Sequence, residues 1–467
     1  MVGFNGLLPV SFMELEKSLF AKLRDAFIKD MVGVLTALDQ VVFESRDALR
    51  YRVVEIARTR IDTLFGTVEF SRRVYEDRET GERVYGLDEA LGLSKRARIS
   101  PGLRQVAVQQ ASDGPSYRGA RDMLKGVYGY QALSHESIRR CVVKAGEMIA
   151  AEARRECEAG DGRRKVAVLY IEADGMWVSV QREGKKEAHL AVAYEGWRRR
   201  GGSRDEYELV GRTDIHGWGD ADEFWDQVSR RLLSKYDLEH TVVVIGGDRA
   251  PWIRKGTQYF PRAMYQFDRF HLKREMKRLF EDGSYVQAAR ALDEARVGDV
   301  LEILRHARAR SRSAAQEARH LLADLEKHAE AMVDYRRRLE AMGYDTAGMR
   351  GLGAAEPMVN RYSRRLKKQG RSWSSGLDAM IHVMQKRFSG ELGKYTKKLY
   401  EAMERLEAVI KPEAAAARDR RVVEEVVGDV TAGMSGNMPI LSAGRTRSGG
   451  LSWTFQRLLD ATPATLY

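Results

Sequence analysis

Between residues 164 and 272 the chain sets down a series of short apolar runs: "KVAVLYIEADG", "WVSVQ", "EAHLAVAYEGW", "YELVGRTDIHG", "HTVVVIGGD" and "AMYQFD". Runs of this length, bounded by Gly, Asp and charged residues, predict β-strands. One amphipathic stretch, "DADEFWDQVSRRLLSKY", separates the fourth run from the fifth and predicts a helix. The short connections between the first three runs suit an antiparallel meander. The helix then returns the chain for a parallel strand. Three consecutive strands, a crossover and further strands is the order of an RNase H-like fold.

Acids interrupt these runs. Asp174 ends the first run and is followed by Gly175, and Asp248 ends "TVVVIGGD". Glu356 opens a helical stretch, "GLGAAEPMVNRYSRRLKK", with Pro357 suited to its first turn. Carboxylates at the ends of neighbouring strands converge, and they repel one another unless a cation sits among them. Hard divalent ions are their natural occupants. Two Mg²⁺ (or Mn²⁺) ions about 4 Å apart can activate an attacking oxygen and stabilise a leaving one in phosphodiester displacement. An Asp before Gly is also an ordinary turn residue, so one such acid says little. Two of them with a downstream Glu form a more specific pattern. Glu172 lies two residues before Asp174, on the same face of a strand; its role is open between support and ligand.

Beyond Glu356, Arg361, Arg364, Arg365 and Lys368 share one helix face, where they suit a DNA backbone. A solvated helix face is the plainer alternative. Trp373 is a candidate to stack on a base or to fill the core.

The remaining chain is mostly helical in pattern. Residues 1–64 carry an apolar stripe at Leu15, Leu19, Leu23 and Phe27, which suits core or dimer packing. Residues 65–97 alternate around "DRETGE" and predict a β-hairpin. In residues 98–160, Ser116 and Ser134 can each cap a helix. This layout is that of a helix-turn-helix whose second helix presents His135, Glu136, Arg139 and Arg140 to DNA. An ordinary helical hairpin is the alternative. Residues 161–272 form the first part of the α/β core, 273–352 an all-helical insertion, 353–411 the second part of the core, and 412–467 a basic tail expected to be mobile or ordered only on DNA.

Lys and Arg number 79 against 67 Asp and Glu, a net charge of +12, which favours a polyanionic partner. Cys141 and Cys157 form no CxxC pair, so a zinc ribbon or finger is excluded and a disulfide framework is not expected. No apolar run approaches the roughly 20 residues that span a bilayer. A soluble, cytoplasmic protein, nucleoid-associated and without a membrane partner, is the expectation.

At "LYIEADGMWVSVQ…KKEAHLAVAYEGW", "VIGGDRAPWI", "FDRFHLKRE" and "GAAEPMVNRYSRRLKKQGRSWSSG" the chain resembles the ISLre-type (UPF0236-like) insertion-sequence transposases of bacteria, similar in plan to the Mutator-like and hAT groups. The resemblance runs from the N-terminal helices to about residue 385. It implies a DDE transposase with an RNase H-like catalytic core, a helical insertion between the second Asp and the Glu, and a mainly helical DNA-binding region in front. By motif match, Asp174, Asp248 and Glu356 are its acids and hold two Mg²⁺ or Mn²⁺. A C/D-x-x-H motif is matched by Asp268 and His271. The implied partners are terminal inverted repeats, target DNA and further copies of the chain, at least a dimer. A nuclease on the same fold without strand transfer, and a DNA-binding relative without catalysis, are the alternatives.

Overall fold

The computed structural model describes residues 11–93, 98–201, 206–367 and 372–396. The basic tail and Lys368 lie outside the described residues. The chain divides into two compact units, residues 1–147 with 382–467, and residues 148–381.

In the first unit, helix α1 (Phe12–Ser45) starts on a capping box: Ser11 accepts from the Glu14 N–H, and Glu14 accepts from the Ser11 N–H. Its Leu15, Leu19 and Leu23 stay exposed, while Phe27 packs on Phe65 at 4.8 Å between ring centres. The chain then forms β1 (Tyr51–Asp62), β2 (Thr67–Asp77) and the two-residue β3 (Arg83–Val84), paired in that order. This corrects one expectation and extends another. Residues 51–62 are strand and not helix; the hairpin expected around "DRETGE" is present as β2 and β3, paired at Tyr75↔Val84 and Glu76↔Arg83, and a further hairpin turns at 63–66 to join β1 to β2. The alternating "VVEIARTRI" of β1 pairs with β2 from Tyr51↔Asp77 to Asp62↔Thr67. That register buries Ile61, Val68 and Phe70 with Leu35 of α1 and with Leu87, a face that a helix through β1 could not present. Leu87 belongs to the short α2 (Gly86–Ala90); α3 (Pro101–Asp113), α4 (Tyr117–Tyr128) and α5 (His135–Ala159) follow. Ser116 caps α4 through the Gly119 N–H, and Ser134 accepts from the Ser137 N–H at the start of α5.

The second unit holds one large sheet. Its strands are β4 (Val168–Val180), β5 (Gly184–Tyr194), β8 (Thr213–Gly217), β9 (Val242–Gly247) and β10 (Ala263–Phe267), in the order β10-β9-β4-β5-β8. Strands β4, β5 and β8 run antiparallel in turn, while β9 and β10 lie parallel to β4. A separate pair, β6 (Gly196–Arg199) and β7 (Tyr207–Val210), lies between β5 and β8 in sequence. The runs "KVAVLYIEADG" and "WVSVQ" prove to be one strand, so Asp174 sits within β4 and does not end it. Pairing with β5 continues past the acid from Tyr170↔Tyr194 to Val180↔Gly184, and this carries the strand through.

Helix α6 (Ala221–Leu233) makes the crossover from β8 to β9, capped by Asp220. Then come α7 (Pro251–Lys255), α8 (Arg269–Leu279), α9 (Asp282–Asp293), α10 (Val297–His306), α11 (Arg312–Lys327), α12 (Tyr335–Ala341), α13 (Ala355–Leu366), α14 (Leu377–Phe388) and α15 (Leu392–Thr396). Leu169, Ile171 and Ala173 of β4 pack with Val243 and Ile245 of β9 and with Trp225, Val228 and Leu232 of α6. The same core runs on into α8–α11. Trp225 fills the space that Gly256 leaves open: a Cβ there would lie 2.5 Å from the indole.

Candidate functional site

The register of the parallel strands builds the site. Ala173 of β4 pairs with Gly247 of β9, and Gly247 pairs with Phe267 of β10. The next residue on each strand line is an aspartate: Asp174, Asp248 and Asp268. Three carboxylates thus stand at one level across three neighbouring strands, whose backbones lie about 4.8 Å apart. This is the carboxyl edge of the parallel strands, where open α/β sheets form their crevices. The edge opens because β9 and β10 stop here while β4 runs on.

Each aspartate is fixed by the backbone beside it. Asp174 Oδ1 accepts from the Gly175 N–H at 2.7 Å, and Asp248 Oδ1 accepts from the Ala250 N–H at 2.9 Å. Burial pushes the Asp174 carboxyl above its usual range, and the charge of Asp248 pushes it further. Asp268 caps α8, accepting from the Phe270 and His271 N–H groups at 2.8 and 3.1 Å. Its other oxygen meets His271 Nδ1 at 3.0 Å. That hydrogen bond raises the imidazole pKa against the effect of burial. Burial opposes ionisation of Asp268, but His271 outweighs it and the carboxyl is held low. A cleft of about 690 Å³ opens beside these groups, lined by Asp248, Asp268, His271, Arg249, Arg274 and Arg278 among others.

Two further acids have definite places. Glu172 is buried, and its carboxylate accepts from the Tyr194 hydroxyl at 2.5 Å and from the Ala354 and Ala355 N–H groups at 2.7 and 3.2 Å. It therefore caps α13 from the neighbouring strand, at a helix start whose own N-cap, Ala354, supplies no side-chain bond. Sequence reasoning left Glu172 open; its partners make it a support. Glu187 of β5 was missed altogether. It stands opposite Trp177, and burial followed by the charges of Asp248 and Asp174 raises its pKa.

Glu356 is the second residue of α13 and is exposed. Its helix is joined to β4 through Glu172, two residues from Asp174. The structure gathers the aspartates but not Glu356 with them, and among the described residues no three His, Cys, Asp or Glu side chains close on one metal position. The donor set nevertheless suits a divalent cation. Asp174 and Asp248 are hard oxygen donors at adjacent register positions, and among the described residues neither has a Lys or Arg ion-pair partner.

The DNA-binding candidates divide. Arg361 and Arg364 are exposed on α13. Arg365 is not: it is 4% exposed, belongs to the buried stripe of α13 with Met358 and Tyr362, and lies over the Trp373 ring at 4.8 Å. Trp373 is buried too, and its indole N–H donates to the Leu366 carbonyl at 3.0 Å. Neither can meet DNA, because the stripe packs inward and takes both side chains with it. In the first unit, Arg139 and Arg140 share the carboxylate of Glu136, at 2.8 and 3.4 Å. These guanidinium groups hold that carboxyl down to about 2.

Fold and site together define a mixed α/β protein with a row of aspartates along the carboxyl edge of its parallel strands. The chain belongs to an uncharacterised protein family, UPF0236, whose profile matches residues 5–401. It is 26% identical over 400 residues to a UPF0236 protein in the vanSb 3′ region of Streptococcus gallolyticus, covering 83% of this chain and 85% of that one. A UPF0236 protein of Caldanaerobacter subterraneus subsp. tengcongensis is 26% identical over 245 residues, or 52% of this chain and 50% of its own length. No helix among the described residues is long and apolar enough to cross a membrane.

Proposed function

We propose that this chain is a DDE transposase, which binds the terminal inverted repeats of an insertion sequence and performs metal-dependent strand cleavage and strand transfer. The observation that carries the reading is the row Asp174, Asp248 and Asp268 at one level of three parallel strands. Support also comes from the strand order, an antiparallel meander followed by a crossover to parallel strands, which fits an RNase H-like core.

Asp174 and Asp248 would hold the divalent ions, with Glu356 of α13 as the third acid of the motif. Bound Mg²⁺ or Mn²⁺ supplies positive charge that activates the attacking oxygen and stabilises the leaving one. Glu172 anchors the first turn of α13 and so sets where Glu356 can reach. Asp268 engages His271 Nδ1, which leaves Nε2 as the ring nitrogen that can meet DNA, and it favours the protonated, cationic ring. Water attacks the phosphorus at the element's end; one P–O bond forms, the bond to the 3′ oxygen breaks, and that oxygen takes up a proton. The freed 3′-hydroxyl then attacks a target phosphodiester by the same displacement. Neither step needs a nucleophilic side chain. Bringing two ends together calls for at least a dimer.

The test is cleavage and joining of labelled DNA carrying the element's ends, with and without Mg²⁺. Asp174→Asn and Asp248→Asn each lower both reactions by at least about 10²-fold, the scale for losing one electrostatic stabiliser of a transition state, while DNA binding survives. Glu356→Gln does the same if Glu356 is the third acid. Cleavage without joined products would point to a nuclease on the same fold. Binding without cleavage would point to a DNA-binding relative, and full activity in the Asp variants would sink the site.

A further inference from the structure

We infer that Phe270 and Arg274 of α8 form a nucleotide subsite beside the aspartate row, the guanidinium for a phosphate of a bound DNA strand and the ring for an unpaired base. The inference rests on the DNA-processing reading above, and names two contacts that the sequence motif does not assign.

The first observation is one uncommitted charge among committed ones. Arg249, Arg254, Arg274 and Arg278 all line the cleft. Arg249 meets Glu275 and Asp324 at 2.8 and 3.0 Å, Arg254 meets Asp324 at 3.1 Å, and Arg278 meets Glu317 at 2.6 Å. Those three charges are neutralised within the protein. Among the described residues Arg274 has no carboxylate within ion-pair distance, and it is exposed. His271, Arg274 and Arg278 follow one another at steps of three and four along α8, so Arg274 faces the same opening as His271. The planar donor fork of a guanidinium matches the oxygens of a phosphate.

The second observation is an aromatic ring outside the core. Helix α8 packs inward through Leu272, Met276 and Leu279, yet Phe270 is 56% exposed. A lone exposed Phe is ordinary; this one is framed by groups of the site. The Arg274 guanidinium lies over its ring, 5.7 Å from the centre, and the His271 ring meets it edge to face at 5.7 Å and 74°. The Phe270 N–H donates to Asp268 at 2.8 Å, which fixes its backbone next to the row. A ring beside a phosphate-binding cation is the pairing that holds single strands. Bases inside a duplex already cover one another's faces, so the ring calls for a base that has left the stack.

The experiment uses the full chain in EDTA, so that neither metal nor turnover enters, and reads fluorescence anisotropy. The probes are a labelled single strand of oligothymidylate and the same strand made abasic. Circular dichroism and thermal unfolding check that each variant is folded. Phe270→Ala should weaken binding of the oligothymidylate about tenfold, the scale of one lost base stack, and leave binding of the abasic strand nearly unchanged. Phe270→Trp should bind the oligothymidylate as the natural chain does. Arg274→Gln should weaken both probes and reduce the salt dependence by about one counterion. With iodouracil in place of thymine, photocrosslinking should tag the peptide that carries Phe270. Equal losses on the two probes from Phe270→Ala would overturn the base contact. If the natural chain binds the strand but crosslinks elsewhere, and both variants bind as it does, the subsite is wrong while the DNA-binding reading stands. If the natural chain binds neither these probes nor duplex DNA, that reading falls, and this inference with it.

Discussion

Glu172 and Asp174 sit two positions apart on one strand and face the same side, yet their surroundings give them opposite work. Every group that touches the Glu172 carboxylate is a donor: one hydroxyl and two backbone N–H groups. Asp174 meets one N–H and the repulsion of Asp248. The first acid is satisfied within the protein and the second is not. Replacing Glu172 by Gln turns an all-acceptor group into one with an NH₂ end, which must face one of three donors. Leaving a buried donor unsatisfied costs about 1–3 kcal/mol. Denaturant unfolding of Glu172→Gln should show a loss on that scale, and Tyr194→Phe, which removes the hydroxyl donor, should partly rescue it in the double variant. A loss near zero would mean that α13 does not depend on this cap. The sequence alone could mark both residues as acids in an apolar run, but it could not separate them. The difference lies in which distant backbone reaches each one, and Ala354 is 182 residues from Glu172.

At the scale of elements, helix α13 shows where periodicity informs and where it misleads. Residues 361, 364 and 365 do fall near one another on α13, but the side that packs inward runs through Ala355, Met358, Tyr362, Arg365 and Leu366. Arg365 lies on the seam between the two sides, and Trp373 settles its direction by offering a ring face to the guanidinium. The two arginines should therefore separate by experiment. Arg364→Ala should weaken DNA binding and reduce the salt dependence by about one counterion, with stability almost unchanged. Arg365→Ala should lower the unfolding midpoint through lost packing on Trp373; a reduced salt slope without a stability loss would contradict its burial. The strands were easier to read than this helix side, because an apolar run with acids at fixed places survives any choice of neighbours. Hairpin register was not: the turn at 63–66 and the continuity of β4 past Asp174 follow from pairing with β2 and β5, which a single strand does not reveal.

For the whole molecule, the division into two units makes the proposed metal site a property of one of them. Asp174, Asp248, Asp268 and His271 all belong to residues 148–381, so the proposed cation binding should act on the unfolding of that unit. Anything that binds the folded state alone stabilises it by RT ln(1 + [L]/Kd), roughly 2.7 kcal/mol at a hundredfold excess over Kd. In a unit of this size that corresponds to a rise of roughly 5–10 °C in its midpoint. Calorimetry of the full chain in EDTA and in saturating Mg²⁺ should therefore move the transition of this unit and leave that of residues 1–147 with 382–467 nearly where it was. The variants sharpen the expectation, because the same charge that draws the ion burdens the protein without it. Asp248→Asn removes the repulsion that raises the Asp174 pKa, a term on the order of 1 kcal/mol or more for charges a few ångströms apart. That variant should be more stable than the natural chain in EDTA and less responsive to Mg²⁺. Such a crossing, gained stability with lost metal response, is expected of a site held together against its own charge for binding. If Asp248→Asn were less stable in EDTA and responded to Mg²⁺ as the natural chain does, the carboxylates would be serving the fold instead.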